Sequence, residues 1–284
     1  MNNTTTKAAE TAKKDGTTRN TGVRTMVQIA MLAAVATVLM LWEVPLPFIA
    51  PSFYKLDLSE VPIMIGAFAM GPLAAAVIEL IKICEEVGVD AVSVLTPMFV
   101  SQTQDELYDY FATIAASTTL PIILYNNKPK TNVTIEPATV ARLADIDNIV
   151  AVKDSTGDMT NAAEYIRLTR DKEFSVLMGR DTLIYAALCY GATGAIASCA
   201  NVAPRIAADI YDKYVAGDLE GALEAQFTLA PLRIACGMGT FPAVIKEGLV
   251  QEGIPVGKCL APIAELKPEE KEKLHQVLVE MNLV

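Results

Sequence analysis

Short apolar runs rich in β-branched residues recur about every 20 to 30 residues along the chain, and this rhythm constrains the fold more than any other feature. Turn-forming residues bound each run, as expected of buried strands. The runs span 91–96, 121–126, 148–153, 174–179 and 194–198. Strands that alternate with helices in this way form parallel sheets. The sequence therefore predicts an α/β fold with five βα units, which is three fewer than a closed eight-stranded TIM barrel contains.

Helical spacing fills the gaps between the predicted strands. The predicted helices span 103–117, 136–144, 158–169 and 181–190. From residue 204 onward the chain is predicted to be helical, with breaks at 217–218, 239 and 253–255. Residues 83–284 are thus expected to form an incomplete TIM-barrel-like sheet with additional C-terminal helices.

Composition excludes several classes of protein. The formal net charge is −10, which argues against a nucleic-acid-binding face. The single histidine, His275, excludes Ser-His-Asp chemistry and multi-histidine metal sites, so we predict neither a metal nor a cofactor. The five cysteines show no CxxC spacing and indicate reduced, buried thiols of a cytoplasmic protein.

The first 82 residues differ in character from the rest. Residues 1–25 are rich in Thr, Asn and Lys and predict a disordered tail. Two apolar segments follow, at 26–42 and 62–83, and Lys13, Lys14, Arg19 and Arg24 stand just before the first. Their length and flanking charge predict two transmembrane helices with the N-terminus in the cytoplasm. We therefore expect residues 26–82 to be membrane-associated if they insert, and residues 83–284 to be cytoplasmic.

This N-terminal part resembles the start of the substrate-binding (S) component of energy-coupling-factor vitamin transporters, most closely the riboflavin type. The motifs that carry the resemblance are AA at 33–34 with LM at 39–40, PLPF at 45–48, LDLSEVP at 56–62 and GAFAMGP at 66–72. The resemblance ends near residue 82, and such components use about six membrane helices. Transport by this chain alone is therefore not expected.

Lys153 and Tyr125 end consecutive predicted strands. Because neighbouring strands lie about 4.8 Å apart, their side chains can meet at the carboxyl end of the sheet, where α/β folds place their chemistry. Burial of a lysine disfavours its charged form, and a neutral amine can attack a carbonyl to form a Schiff base. A tyrosine hydroxyl beside it can relay protons. Two other interpretations stay open. Lys153 can simply mark the point where its strand reaches water, and Tyr125 can be an aromatic side chain that packs at the rim of the barrel.

Residues 83–284 resemble the dihydrodipicolinate synthase / N-acetylneuraminate lyase family of pyruvate-dependent class I aldolases. The matching motifs are GVDAV at 88–92, LTP at 95–97, PIILYN at 121–126, VKDSTGD at 152–158, GATGAI at 191–196 and ANVAP at 200–204. The resemblance implies a TIM barrel with C-terminal helices, a homo-oligomer, and pyruvate and an aldehyde as substrates. It also implies that Lys153 is the Schiff-base lysine, that Tyr125 is the proton relay, and that Gly179 and Ile196 line the pyruvate pocket.

Two departures from the family pattern bear on the second substrate. The synthase binds its aldehyde through an arginine in the loop after the tyrosine, where this chain has Lys130, which cannot form a bidentate fork. Met98 and Phe99 stand where the synthase has a tyrosine that reaches a neighbouring subunit. Both changes favour an aldolase or dehydratase that acts on sugar-derived 2-oxo acids over an enzyme of lysine biosynthesis.

A third departure is larger, because residues 1–82 occupy the place of the first three βα units of the family. An open five-stranded sheet leaves edge strands unpaired. Three hypotheses follow: a Schiff-base lyase with membrane segments in front, a membrane S-component fragment with the aldolase part as passenger, and a fusion without either activity.

Overall fold

The structure is a computed structural model that describes Met31, Val44–Pro45, Lys55–Leu56 and residues 72–98 and 101–284. The predicted tail at 1–25 lies outside the described residues. The first predicted membrane segment, at 26–42, also lies outside them, apart from Met31. The same is true of most of the residues that resemble a transporter component. The chain divides into two compact units, and one of them is made of residues 89–115 and 120–284.

The N-terminal elements are short. Strand β1 (Val44–Pro45) pairs antiparallel with β2 (Lys55–Leu56), and helix α1 spans Pro72–Val87. Among the described residues, no helix has both the length and the apolar character that a membrane crossing requires.

Of the second predicted membrane segment, at 62–83, the structure describes residues 72–83, which belong to helix α1. Helix α1 has 16 residues, so its length is about 24 Å, less than the roughly 30 Å of a hydrocarbon core. It also continues past residue 83 through Glu85 and Glu86 to its end at Val87. The change in composition at residue 82 therefore falls inside one helix.

Five parallel strands form the sheet, and their order in the sheet is their order in the chain. They are β3 (Val92–Leu95), β4 (Ile122–Asn126), β5 (Ile149–Asp154), β6 (Ser175–Met178) and β7 (Gly194–Ala195). The five predicted βα units are confirmed. Within the part of the chain that the structure describes, β3 and β7 are the edge strands of this sheet.

Helices connect the strands, and all of them except the short α3 lie at the predicted places. They are α2 (Gln104–Ala116), α3 (Lys128–Thr131), α4 (Pro137–Leu143), α5 (Met159–Thr169) and, after a 3-10 turn at Asp181–Leu183, α6 (Ile184–Tyr190). Local capping explains two of their starts. Thr103 and Glu106 bond to each other's backbone N–H groups before α2, and the carboxylate of Asp158 accepts from the first turn of α5.

Four helices follow the last strand: α7 (Pro204–Val215), α8 (Leu219–Ala235), α9 (Ala243–Gln251) and α10 (Pro268–Glu280). The predicted breaks at 217–218, 239 and 253–255 all fall between them. Helix α8 packs against α7 and α10 and buries Leu229 and Leu232 completely. Each such burial contributes about 1.5–3 kcal/mol before the cost in conformational entropy is counted. This helical core holds the C-terminal part of the chain against the end of β6.

Candidate active site

The ends of β4 and β5 bring Tyr125 and Lys153 together. The two residues are direct partners in the parallel register, and the Nζ atom of Lys153 lies 4.3 Å from the centroid of the Tyr125 ring. The proximity that strand spacing predicted is therefore found. Both side chains are half-buried, so a small molecule can reach them.

A neighbouring amide orients the tyrosine. The side-chain amide of Asn127 donates to the Tyr125 hydroxyl at 2.9 Å. The backbone carbonyl of Asn127 accepts from the N–H groups of Lys130 and Thr131, which begins the short helix α3. The loop after β4 thus orients the Tyr125 hydroxyl.

The opposite face of the same two strands carries a buried polar network, because successive side chains alternate. Asn126 and Asp154 are completely buried there, as is Tyr165 of α5. The Asn126 amide donates to Asp154 Oδ1 at 3.0 Å and to the Tyr165 hydroxyl at 2.8 Å. The Tyr165 hydroxyl in turn donates to the carbonyl of Ile135 and accepts from Asn161 at 2.7 Å.

Burial raises the pKa of the Asp154 carboxyl to about 6. Hydrogen bonds from Thr156 and Asn126 oppose this shift, since they stabilise the ionised form. Burial, together with the nearby charge of Asp154, also raises the pKa of Tyr165. The Asp154 carboxyl, which can donate or accept a proton, thus lies on the face of β5 opposite to Lys153.

Gly179 lies where β6 meets the loop after β5. Its N–H donates to the carbonyl of Asp154 at 2.7 Å. A Cβ atom at this position would lie only 2.0 Å from the Ser155 Oγ atom. The end of β6 therefore fits beside the end of β5 only without a side chain at Gly179.

A cavity of about 550 Å³ opens in front of these strand ends. Tyr125, Lys130, Lys153 and Gly179 line it, as the sequence predicted. Ile196 does not belong to its lining and is 41% exposed. The structure thus brings together four of the five predicted site residues.

The C-terminal helices add polar groups to the lining of the cavity. Arg233 and Cys236 come from the end of α8, and Asp181 follows β6. Arg233 Nε lies 3.3 Å from the buried carboxylate of Asp181. The side-chain amide of Gln226 donates to the carbonyl of Asp181 at 2.9 Å, which ties α8 to the turn after β6.

Two buried cysteines meet at the back of this wall. The contact with Cys199 lowers the pKa of the Cys236 thiol, and the Arg233 guanidinium acts in the same direction. The same contact and burial raise the pKa of Cys199. All five cysteines are free, but Cys189 is exposed, so the expectation of buried thiols is wrong for that residue.

Sequence reasoning did not identify Arg180, Asp181, Arg233 or Cys236 as site residues. The first two directly follow Gly179, so the rule that selected Lys153 from its place at a strand end could have selected them. Arg233 and Cys236 give no such signal, because only the packing of α8 places them at the cavity.

Comparisons with known proteins agree with this arrangement. The model of the dihydrodipicolinate synthetase family matches residues 59–281. The match begins before residue 83 and includes the end of the segment that resembles a transporter component.

Individual relatives show the same similarity. The 4-hydroxy-tetrahydrodipicolinate synthase of Methanothrix thermoacetophila is 36% identical over 226 residues, which cover 80% of this chain and 76% of that protein. The crystal structure of dihydrodipicolinate synthase from Thermotoga maritima superposes with a TM-score of 0.71 at 31% identity and covers 73% of this chain and 71% of that one. The prophage protein YagE of E. coli K12, solved in complex with pyruvate, gives a TM-score of 0.72 at 30% identity and covers 74% of this chain and 72% of its own.

Proposed function

Because this chain belongs to the dihydrodipicolinate synthetase family, we propose that it is a lyase in which Lys153 forms a Schiff base with pyruvate or a related 2-oxo acid. The observation that carries the proposal is the pairing of Lys153 with Tyr125 at the mouth of a cavity of about 550 Å³. The binding of pyruvate by YagE, a similar protein, supports the choice of substrate.

The chemistry follows from the two side chains. The Lys153 amine adds to the substrate carbonyl, and the resulting carbinolamine loses water to become an imine. Tyr125 is within reach to give a proton to the departing hydroxyl and later to take one from the substrate. Loss of a proton from the carbon next to the imine gives an enamine, which attacks an aldehyde to form the new carbon–carbon bond. The reverse sequence cleaves a 4-hydroxy-2-oxo acid.

Pocket residues have proposed roles beside this pair. Gly179 leaves room for the bound 2-oxo acid because it has no side chain. Lys130 approaches from α3 and supplies positive charge. Ile196 would line the pocket only if the end of β7 turned toward the cavity, and we propose a pocket role for it on that condition.

Trapping with borohydride tests the proposal. Purified protein is incubated with pyruvate and sodium borohydride, and its peptides are mapped by mass spectrometry. We expect a reduced pyruvate adduct on Lys153, none in Lys153→Arg, and an unchanged adduct in the control Lys273→Arg, whose lysine is exposed on α10. Tyr125→Phe should still give the adduct, at a rate lower by about 100-fold, since it removes a proton relay.

The outcome also distinguishes an active lyase from a family member that has lost its activity. Wild-type protein that is folded by circular dichroism but forms no adduct would refute the enzyme function and favour the hypothesis that the missing barrel units abolish the pocket. Lys153→Arg keeps charge and bulk, so loss of its adduct with an unchanged unfolding curve identifies the nucleophile.

Assembly and membrane association are separate proposals. The family resemblance supports a homo-oligomer, which sedimentation of the purified chain would measure. Membrane association through residues 26–82, and the alternative of a vitamin-uptake S-component fragment, stay predictions. Retention of the full chain in membranes after an alkaline wash would support them, and complete release would contradict them.

A further inference from the structure

We propose that Asn127 is a positioning residue of this site: its side-chain amide holds the Tyr125 hydroxyl in the arrangement in which Tyr125 first gives a proton to the substrate and then takes one back. The inference rests on the Schiff-base function proposed above and deepens it. It assigns to the loop after β4 a part in the proton transfers, in which Asn127 acts through Tyr125 rather than on the substrate.

The hydrogen bond between the two side chains has a defined direction. Asn127 Nδ2 donates to the Tyr125 hydroxyl oxygen at 2.9 Å. An amide N–H can only donate, so the tyrosine accepts from it and its own O–H proton has to point elsewhere. Both residues line the cavity that contains Lys153. The arrangement therefore leaves the phenolic proton for a ligand in that cavity.

Contacts of the Asn127 backbone hold this amide in place. The Asn127 carbonyl accepts from the N–H groups of Lys130 and Thr131 at 2.9 and 3.1 Å, and from the Thr131 hydroxyl at 3.3 Å. Thr131 is 4% exposed, and its hydroxyl oxygen also accepts from the N–H of Val133. Because α3 fixes the backbone of Asn127, its side chain loses little further freedom when it binds the tyrosine.

The amide and Lys153 act on different parts of the tyrosine. Lys153 Nζ lies 4.3 Å from the centroid of the Tyr125 ring, so it contacts the face of the ring. A contact with the ring face leaves the hydroxyl hydrogen free to rotate. Among the hydrogen bonds of the described residues, the one from Asn127 is the one that reaches the Tyr125 hydroxyl. Within this part of the chain, Asn127 therefore decides where the phenolic proton points.

The same hydrogen bond becomes stronger during the proposed reaction. When the carbinolamine loses water, the Tyr125 proton goes to the departing hydroxyl, which leaves as water, and the tyrosine becomes a phenolate. A hydrogen bond to an ionised oxygen is roughly twice as strong as one to a neutral oxygen. The phenolate then takes a proton from the carbon next to the imine, which gives the enamine and restores the tyrosine. Because the Asn127 amide stabilises the phenolate more than the phenol, it favours the proton transfer and not only the resting state.

A double-mutant cycle on borohydride trapping tests the inference. The rate at which pyruvate and borohydride label Lys153 near pH 8 is measured by mass spectrometry for the wild type, Asn127→Leu, Tyr125→Phe and the double variant. Asn127→Leu should slow labelling by about 10-fold or more, because the proton relay is no longer oriented. In the Tyr125→Phe background the same substitution should have no further effect, since Asn127 acts through a hydroxyl that is already absent.

Asn161→Leu is the matched control. It removes an amide-to-tyrosine hydrogen bond of the same kind, to Tyr165 at 2.7 Å, from a residue outside the cavity lining. Any effect on the labelling rate should be small and of the same factor in both backgrounds. Asn127→Asp keeps the shape of the side chain, but its ionised carboxylate only accepts hydrogen bonds. It should therefore slow labelling as Asn127→Leu does.

Equal slowing by Asn127→Leu with and without the Tyr125 hydroxyl would show a purely structural role and overturn the inference, while the proposed function would stand. A wild-type rate in Asn127→Asp would overturn it too, because the shape of the side chain would then suffice. If circular dichroism shows that Asn127→Leu does not fold, the cycle is run with Asn127→Asp, and slowing that does not depend on the Tyr125 hydroxyl again overturns the inference.

A spectroscopic measurement separates the two proposals if wild-type protein forms no adduct. Tyrosine labelled with carbon-13 at the ring carbon that bears the hydroxyl gives a resonance for each tyrosine, and Tyr125→Phe identifies that of Tyr125. Loss of the amide donor in Asn127→Leu should shift this resonance, whereas Asn161→Leu should leave it in place. That result would uphold the orientation of Tyr125 by Asn127 even though the lyase function had failed. An unshifted resonance in Asn127→Leu would overturn it.

Discussion

At the scale of single residues, Gly179 decides whether β5 and β6 can end side by side. An added Cβ atom would lie 2.0 Å from Ser155 Oγ and 3.0 Å from the carbonyl oxygen of Asp154. The hydroxyl could rotate away, but the carbonyl oxygen belongs to the backbone that carries Lys153. A side chain at Gly179 therefore displaces the strand end on which the proposed nucleophile stands.

We expect Gly179→Ala to lower the free energy of unfolding by about 1–3 kcal/mol through overpacking. It should also slow borohydride trapping of pyruvate, because the end of β5 shifts. Urea unfolding and peptide mapping measure the two effects. The control is Gly194→Ala in β7, where the nearest atom to an added Cβ is a Leu177 methyl carbon at an ordinary 3.6 Å. Equal stability of Gly179→Ala and wild-type protein would contradict the argument.

At the scale of secondary-structure elements, the buried network of Asn126, Asp154 and Tyr165 joins β4, β5 and α5 behind the cavity. Strand alternation places this network and the pair Tyr125–Lys153 on opposite faces of the same two strands. Removal of one buried partner takes a hydrogen bond from each of its neighbours, which costs about 1–3 kcal/mol for each group left unsatisfied. The network therefore fixes the relative position of the strands that carry the proposed catalytic residues.

The pH dependence of stability should report Asp154. Its folded-state pKa of about 6 lies above the unfolded value of 3.8, so between these values the folded protein binds the extra proton. The stability that this proton contributes is present near pH 4 and is lost as the pH rises through 6. The shift corresponds to about 3 kcal/mol.

Asp154→Asn should remove that loss, because its amide stays neutral. Urea unfolding at pH 4.5 and pH 7.5 gives the comparison, and the wild type should lose about 2 kcal/mol more than the variant between these two values. Asp171→Asn, at an exposed position, should follow the wild type. Identical pH dependence of Asp154→Asn and wild-type protein would show that this carboxyl is not buried as described.

At the scale of the whole molecule, distant segments build one cavity wall. The carboxyl ends of β4, β5 and β6 supply Tyr125, Lys153 and Gly179, and α8 supplies Arg233 from the C-terminal part of the chain. Gln226 of α8 holds the turn after β6 through Asp181 and Tyr185. Because ligand contacts would span sheet and C-terminal helices, binding should stabilise this unit as a whole.

Pyruvate should therefore raise the Tm of the full chain. A ligand at about 100 times its Kd adds about 2.7 kcal/mol, which corresponds to about 5–10 °C for a protein of this size. The increase should be absent in Lys153→Arg, which cannot form the covalent imine. Differential scanning fluorimetry measures the shift, and acetate, which has the carboxylate but no ketone, is the control ligand. No increase in the wild type would mean that the strand ends do not form a working pocket.

Local patterns in the sequence determined the five strands, the helices between them and the neighbouring positions of Tyr125 and Lys153. Strand periodicity, turn residues and helix caps act over a few residues, so they can be read along the chain. The family motifs concentrate at the same strand ends, which is why the family was also identified from the sequence.

Only the tertiary structure decided what surrounds that pair. It placed Arg180 over Gly157, brought Arg233 to Asp181 and left Ile196 outside the cavity lining. It also showed that the described part of the second predicted membrane segment lies in α1, which continues into charged residues. These features depend on how helices pack against strands that are distant in the chain, and that packing is set by the sum of many contacts rather than by any local pattern.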